Sequence, residues 1–549
     1  MGVAVRIFGL RSLTFAATVE SLVVVRFYPT LFPTIFNLGV RLEAPFFVFL
    51  ANYGFALLLW GFIYPKLFSP LKHMVGPRNF ISAAQRSLVV IDRPPGALFI
   101  DLIKRYPGQD MINLSAFDQQ ILVTTPRVLA DLLVHKAYDF TKPQRVTSIL
   151  QMILGDGLVM VEGDQHKLLR KHSVPAFSFR HIKELYPMMW EKSVLMCDKL
   201  EKALEAGEGG DARITDISSW MSRVTLDIIG VAGVGREFGT LKEVEDPLLD
   251  IYLKILQPTL ENLIFATGAI LFGVRFMSFL PWKIPGMFKD LTDELRDICM
   301  SIVQERKIAI FNSKDDHFDL LSLLIKSGNF SDTQLRDQML TFLAAGHETT
   351  SATLGWSCYI LAKDQKLQDT IREEVRQALP KGLDVTKSTD LASILESLPY
   401  LNGLMNETLR LYPTVPMTMR VAIRDTSLGG QVIPKGVAVV IPVWQMNRSP
   451  ELWGPGADEC RPERWITSGK PNSHGGANSN YDFLTFLSGP RSCIGQGFAR
   501  AEMRCLLACM INAFSWELAT DEEKIPSGAI AVKPANGMSL KLKPLRNIT

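Results

Sequence analysis

Residues 486–495 read Phe-Leu-Ser-Gly-Pro-Arg-Ser-Cys-Ile-Gly, and an apolar run at helical spacing, residues 496–510, follows without a break. This turn constrains the fold more than any other stretch, because it presents one sulfur, Cys493, at the mouth of a helix. The thiolate, not the thiol, ligates metal, so its free pKa of about 8.5 has to be lowered. A helix N-terminus and a cation both act in that direction. Gly489 and Gly495 allow the backbone to bend and approach closely. Phe486 can shield the sulfur from water, and Arg491 offers a planar fork for a carboxylate. A lone cysteine in a turn is otherwise a packing residue. The spacing F-x-x-G-x-R-x-C-x-G separates this one from that case.

Two further stretches interrupt helical patterns with chemistry. Ser331 and Gln334 form a capping-box start, and apolar residues then continue to Leu361. At 1.5 Å per residue such a helix is roughly 45–50 Å long, enough to cross a domain. At its centre lies Ala344-Ala-Gly-His-Glu-Thr-Thr350. Gly346 costs about 1 kcal/mol against alanine there, and Glu348, Thr349 and Thr350 break an apolar face. The third stretch is Glu407-Thr-Leu-Arg410, ahead of Pro413. Its charged residues are three apart and share a helix face. Exposed, the pair is worth roughly 0.3–0.5 kcal/mol.

Taken together, the three motifs resemble those of the cytochrome P-450 family, with Thr349 placed 144 residues before Cys493. The resemblance implies a mainly α fold with a smaller β region (α+β) and heme b as cofactor, with Cys493 as the axial iron ligand. A thiolate in that place favours O–O cleavage. Arg491, Arg420 and Arg170 would bind the heme propionates. His166 stands where the family usually has a tryptophan, so its role on the propionate is open. Phe486, Gly489 and Gly495 would shape the Cys loop. Ala345 and Gly346 would form the helix groove over the iron, the glycine widening it. Thr349 would hydrogen-bond the oxygen being activated, and Glu348 would relay protons, with His347 pointing away. Glu407, Arg410 and Arg464 would form a buried structural triad.

The implied activity is a heme-thiolate monooxygenase that hydroxylates or epoxidises a lipophilic small molecule with O₂. Electrons would come from a separate NADPH-dependent cytochrome P-450 reductase. The long N-terminus and His166 are similar to fungal members of secondary metabolism, which suggests a terpenoid, polyketide or indole-derived substrate. The alternatives are a sterol or fatty-acid hydroxylase of primary metabolism, a reductase-independent isomerase or dehydratase, and a non-catalytic heme sensor or membrane scaffold. An intact Glu348–Thr349 pair argues against the last two.

Composition sets the cellular frame. A formal charge of +3 over 549 residues implies no polyanionic partner, so no nucleic acid is expected. Seven scattered cysteines without a C-x-x-C argue against a disulfide framework. Mean hydropathy is +0.13, apolar for a soluble protein. Residues 45–64 carry no charge for twenty residues, long enough to cross a core of about 30 Å. The expected organisation is an anchor and linker over 1–69, with a transmembrane helix at 45–64, and a heme domain over 70–549. The anchor would hold the enzyme at the endoplasmic reticulum membrane, its catalytic domain facing the cytosol. Residues 12–40 are a second apolar patch. Residues 262–274 read as an interfacial dip, an apolar entrance, or plain core. Residues 96–106 and 126–135 read as helices, 111–114 and 120–125 as strands, 139–160 as an apolar loop, and 468–480 as a flexible insert.

Overall fold

The computed structural model describes residues 50–55, 67–77, 96–115, 119–207, 213–256, single positions between 265 and 277, 283–312, 319–379, 389–520, and 524–545 in part. Sixteen α-helices, six short 3₁₀ or π helices and fourteen short strands lie in these stretches, in a mainly α arrangement.

The helix Asp332–Lys363 runs through the middle. Its capping box is present as expected: the Gln334 N–H donates to Ser331 Oγ at 3.3 Å and Gln334 Oε1 accepts from the Ser331 N–H at 2.9 Å. Few helices of this length are buried on nearly every face, yet this one is, because others surround it. Ile217–Val234 lies closest along it, and Lys283–Phe311, Pro399–Leu411 and Gln496–Ala513 cover the rest. The last of these, the helix behind the Cys loop, is buried from Ala501 to Ala513 except for Arg504. Apolar residues of these helices make one continuous core. At roughly 25 cal/mol per Å² of apolar surface, that burial is the main force holding the helices together.

A five-stranded sheet lies to one side, ordered Met111–Asn113, Gln120–Val123, Ala438–Ile441, Thr418–Ala422, Phe140–Thr141. Gln120–Val123 pairs parallel with Ala438–Ile441 and the other pairings are antiparallel. Phe514–Leu518, Ser539–Pro544 and Ile214–Asp216 form a second, antiparallel sheet that ties the end of the chain to its middle.

Two expectations are corrected. The apolar loop expected over 139–160 contains a helix, Gln144–Leu154. Ile149, Met152 and Ile153 stand at i, i+3 and i+4, too short a run to signal a helix by period. Tertiary contacts hold it: Arg296 donates to the Gln151 and Met152 carbonyls at 3.3 and 2.7 Å, and Asp337 accepts from the Asp156 N–H at 2.8 Å. The insert at 468–480 is likewise built, not loose. Ile466–Thr467 pairs with Lys470–Pro471, and the Asn472 amide bridges to Arg464 and Thr467 at 3.1 and 3.0 Å.

Among the described residues, no helix is long and apolar enough to cross a membrane. The span expected at 45–64 lies outside the described residues apart from 50–55, which are helical. The patch at 12–40 also lies outside them. Of the 262–274 segment, Phe265, Gly268, Ala269, Gly273 and Val274 are described; Phe265 and Ala269 are buried in the main core and Val274 packs against it.

Candidate active site

Cys493 heads the site. Its N–H donates to the Phe486 carbonyl at 2.8 Å, closing the loop on itself, and Gly495 caps the helix that follows. Gly489 has φ +76°, and a Cβ there would lie 2.1 Å from the Leu133 carbonyl oxygen. The loop can therefore pass over Leu133 only with glycine at 489. Leu487 also has a positive φ, 55°, a conformation that costs a branched residue about 1–2 kcal/mol. Gly495 is different: φ is negative, and a Cβ would only touch Phe177 at 4.0 Å. Phe486 is partly buried against the core, with the Arg500 guanidinium 5.5 Å from its ring.

Of the seven cysteines, Cys493 alone is exposed. Yet burial pushes its thiol pKa up, against the lowering effects of the Gly495 N–H and of Arg170. A side chain that is deep and still accessible faces a space inside the protein. The long helix shows the same pattern at its centre, where Ala345 is exposed between half-buried Ala344 and Gly346. Val415 and Met417, on the segment leading into Thr418–Ala422, are each 40% exposed.

Beside the Cys loop lies a buried cluster of cations. Arg491 donates through Nη1 to the Ala137 carbonyl and through Nη2 to the Phe140 carbonyl at 3.1 Å, and it pairs with Glu162. Its plane lies 4.7 Å over the Tyr138 ring, and its Nε has no partner. Lys142 Nζ reaches Glu162 at 3.0 Å. Burial lowers the Lys142 pKa, with Glu162 opposing and Arg420 and Arg491 adding to the effect. Arg420, on the strand Thr418–Ala422, donates through Nη1 to Met419 O at 2.8 Å. Burial, then Arg491, lowers its pKa to about 10. His166 is 3% exposed and contacts the Tyr138 hydroxyl at 3.2 Å. Burial, then Arg491 and Lys142, lowers its pKa to about 4, which keeps the ring neutral. Arg170 instead reaches the Cys loop itself, donating to the Ser492 carbonyl at 2.7 Å and hydroxyl at 3.3 Å. Glu162, Lys142 and Tyr138 were not singled out from sequence. No motif marks them, since they meet Arg491 only through tertiary structure.

This donor set fits heme b. The thiol faces Arg170, and Lys142, Arg420 and Arg491 nearby share one acid, Glu162. Buried cations that repel one another call for more anionic charge, and the two carboxylates of heme b would supply it. The unpartnered Arg491 Nε leaves one donor for such a group.

The long helix places the remaining polar residues. Thr349 Oγ1 donates to the Ala345 carbonyl at 2.8 Å. Glu348 is partly exposed and pairs with Lys533 at 3.5 Å. His347 is buried, its ring edge-on to Tyr252 and its Nδ1 2.9 Å from the Leu343 carbonyl. At Gly346, a Cβ would lie 2.7 Å from the Ile229 side chain. What the glycine visibly accommodates is therefore the neighbouring helix Ile217–Val234.

Glu407 and Arg410 are fully buried and make a bidentate pair, both bonds 2.8 Å. Arg464 joins at 3.7 Å, as an ion pair beyond hydrogen-bond range, and donates to the Trp453 carbonyl at 2.8 Å. The Trp465 indole and the Arg461 N–H complete the carboxylate's shell at 2.8 and 2.9 Å.

Comparisons with known proteins agree with this geometry. The family model "Cytochrome P450" matches residues 89–542. The chain is 39% identical to the cytochrome P450 monooxygenase sphH of Aspergillus fumigatus over 91% of its own length and 94% of that protein's. It is 36% identical to the cytochrome P450 monooxygenase ptmK of Penicillium ochrochloron, covering 89% and 97%. A cytokinin hydroxylase of Arabidopsis thaliana is 32% identical, covering 81% and 83%. Among solved structures, the heme domain of cytochrome P450DA superposes with a TM-score of 0.68 at 22% identity, covering 82% of this chain and 93% of that one. A thiol loop backed by buried arginines, on this fold and with these relatives, has one reading: the chain is a heme-binding monooxygenase of the cytochrome P450 family.

Proposed function

We propose that the chain hydroxylates or epoxidises a lipophilic small molecule of fungal secondary metabolism, of terpenoid, polyketide or indole-derived type. The observation that carries this reading is the Cys493 sulfur, deep in the protein and open to an interior space. Relatives from Aspergillus and Penicillium named as P450 monooxygenases support the fungal assignment.

Cys493 would ligate the heme iron, its sulfur aided by the Gly495 N–H, its own N–H held by the Phe486 carbonyl, and Arg170 lowering the energy of its anion. Arg491 and Arg420, with Lys142 behind them, would hold the cofactor's carboxylates. Heme b, once bound, supplies the oxygen activation and radical chemistry. On the other side, Thr349 offers a hydroxyl from the open face of the long helix, and Glu348 can pass protons inward from its partly exposed position. Lys533 holds the Glu348 carboxyl in place through an ion pair at 3.5 Å. Val415 and Met417 present apolar surface toward substrate and help exclude water.

Electrons would come from an NADPH-dependent P450 reductase. The uncharged run at 45–64 would anchor the enzyme in the endoplasmic reticulum membrane with its catalytic domain in the cytosol. The test is reconstitution with such a reductase: O₂- and NADPH-dependent conversion of a candidate scaffold, with one oxygen atom from ¹⁸O₂ in the product, is expected. NADPH-independent conversion would favour an isomerase instead. The metabolite that accumulates when the gene is deleted would identify the substrate.

A further inference from the structure

Glu162 ties three segments together: the strand Phe140–Thr141, the helix Gly163–Ser173 and the Cys loop. It stands at the N-cap of that helix, yet its side chain makes no cap bond there. A carboxylate cap is worth about 1 kcal/mol, so its oxygens are committed elsewhere. Oε1 accepts from the Lys142 N–H at 2.9 Å and from Lys142 Nζ at 3.0 Å, and Oε2 accepts from Arg491.

The charges around it do not balance. Phe140 pairs with Ala422 and Thr141 with Val421, and the next step along both strands sets Lys142 against Arg420. Like charges placed so destabilise a strand pair. Arg420 donates only to neutral groups, Thr418 Oγ1 at 3.2 Å and the Met419 carbonyl at 2.8 Å. The neighbouring charges are engaged elsewhere: Asp139 with Arg424, Lys167 with Asp164 at 2.7 Å, and Arg170 with Ser492. Among the described residues, three cations (Lys142, Arg420 and Arg491) therefore share the carboxylate of Glu162. The two carboxylates of heme b would bring the sum to zero.

We propose that Glu162 is a positioning residue for the cofactor: it holds Lys142 and Arg491 in place and, as the protein's own carboxylate in the seat, cancels one of three cations and so sets the iron's reduction potential. Reduction adds an electron, so a net positive charge nearby raises the potential and a net negative charge lowers it. The inference rests on the heme-thiolate reading, which the carbon monoxide spectrum tests separately.

The test is a potentiometric titration of the full-length holoenzyme, native and with Glu162→Gln, Glu162→Asp, Lys142→Met and the double variant E162Q/K142M. E162Q leaves one net positive charge in the seat and should shift the midpoint positive. K142M leaves one net negative charge and should shift it negative. The double variant restores neutrality and should return close to the native midpoint, although every Glu162–Lys142 contact is gone. E162D keeps the charge and should keep the potential, while its shorter reach releases heme severalfold faster. Lost contacts alone do not give opposite shifts that cancel. A double variant no nearer the native value than the single variants would overturn the proposal, as would native midpoints in both E162Q and K142M. If E162Q does not retain heme, K142M and the double variant decide by the same criterion. Absence of the thiolate-type carbon monoxide band from the native protein would overturn the heme-thiolate reading and this inference with it. Its presence beside unmoved midpoints would overturn this inference alone.

Discussion

Arg491 concentrates the site's electrostatics in one side chain. It neutralises Glu162, spans the carbonyls of Ala137 and Phe140, and leaves one donor unpaired. Removing one partner of such a buried pair costs about 3–5 kcal/mol, because the other charge is stranded. Arg491→Leu should therefore lose heme many times faster than native protein, as read by transfer to a heme scavenger. Glu162→Gln should lose it less fast, since the cations remain. Glu502 gives the pH prediction. Its folded pKa is raised above 4.5, so its contribution to stability is intact below about pH 4.5 and is lost as pH rises toward the folded pKa. Glu502→Gln removes that loss. Its Tm should gain on the native Tm between about pH 5 and 8. A constant difference would mean that the carboxyl titrates normally.

At the scale of elements, the long helix and Ile217–Val234 meet at Gly346, where Ile229 fills the notch. Gly346→Ala would gain helix propensity of about 1 kcal/mol but overpack the contact by about 1–3 kcal/mol. Net destabilisation is expected in thermal unfolding. Ile229→Ala should couple with it, so that the double variant is more stable than the two losses added together. The helix was legible in the sequence from its capping box to its end, because its signals are local. The helix Gln144–Leu154 was not, because Arg296 and Asp337, far along the chain, hold it. The Glu407–Arg410 pair was legible by its spacing. Its burial, and the Trp465 and Arg461 donors that complete it, depend on a loop packed over it.

For the whole molecule, the three motifs could be read directly, since each packs cysteine, threonine or arginine into a few residues with a fixed spacing. Glu162, Lys142, Tyr138 and Glu502 could not, because nothing local marks a carboxyl or an ammonium that becomes buried only when distant elements close. Among the described residues, the cores are built between Leu71 and Leu542, downstream of residues 1–66. Removing those residues should leave the folded heme domain intact while abolishing sedimentation with microsomes. Membrane pelleting of the shortened protein would place the anchor elsewhere.

The proposed chemistry depends on the sulfur of Cys493 as the iron ligand, and the reduced carbon monoxide difference spectrum tests that ligation directly. The native protein should give the red-shifted Soret band of a thiolate-ligated heme, and Cys493→Ser should lose that band together with oxidative turnover. A serine variant that kept both would show that the iron is bound through some other residue.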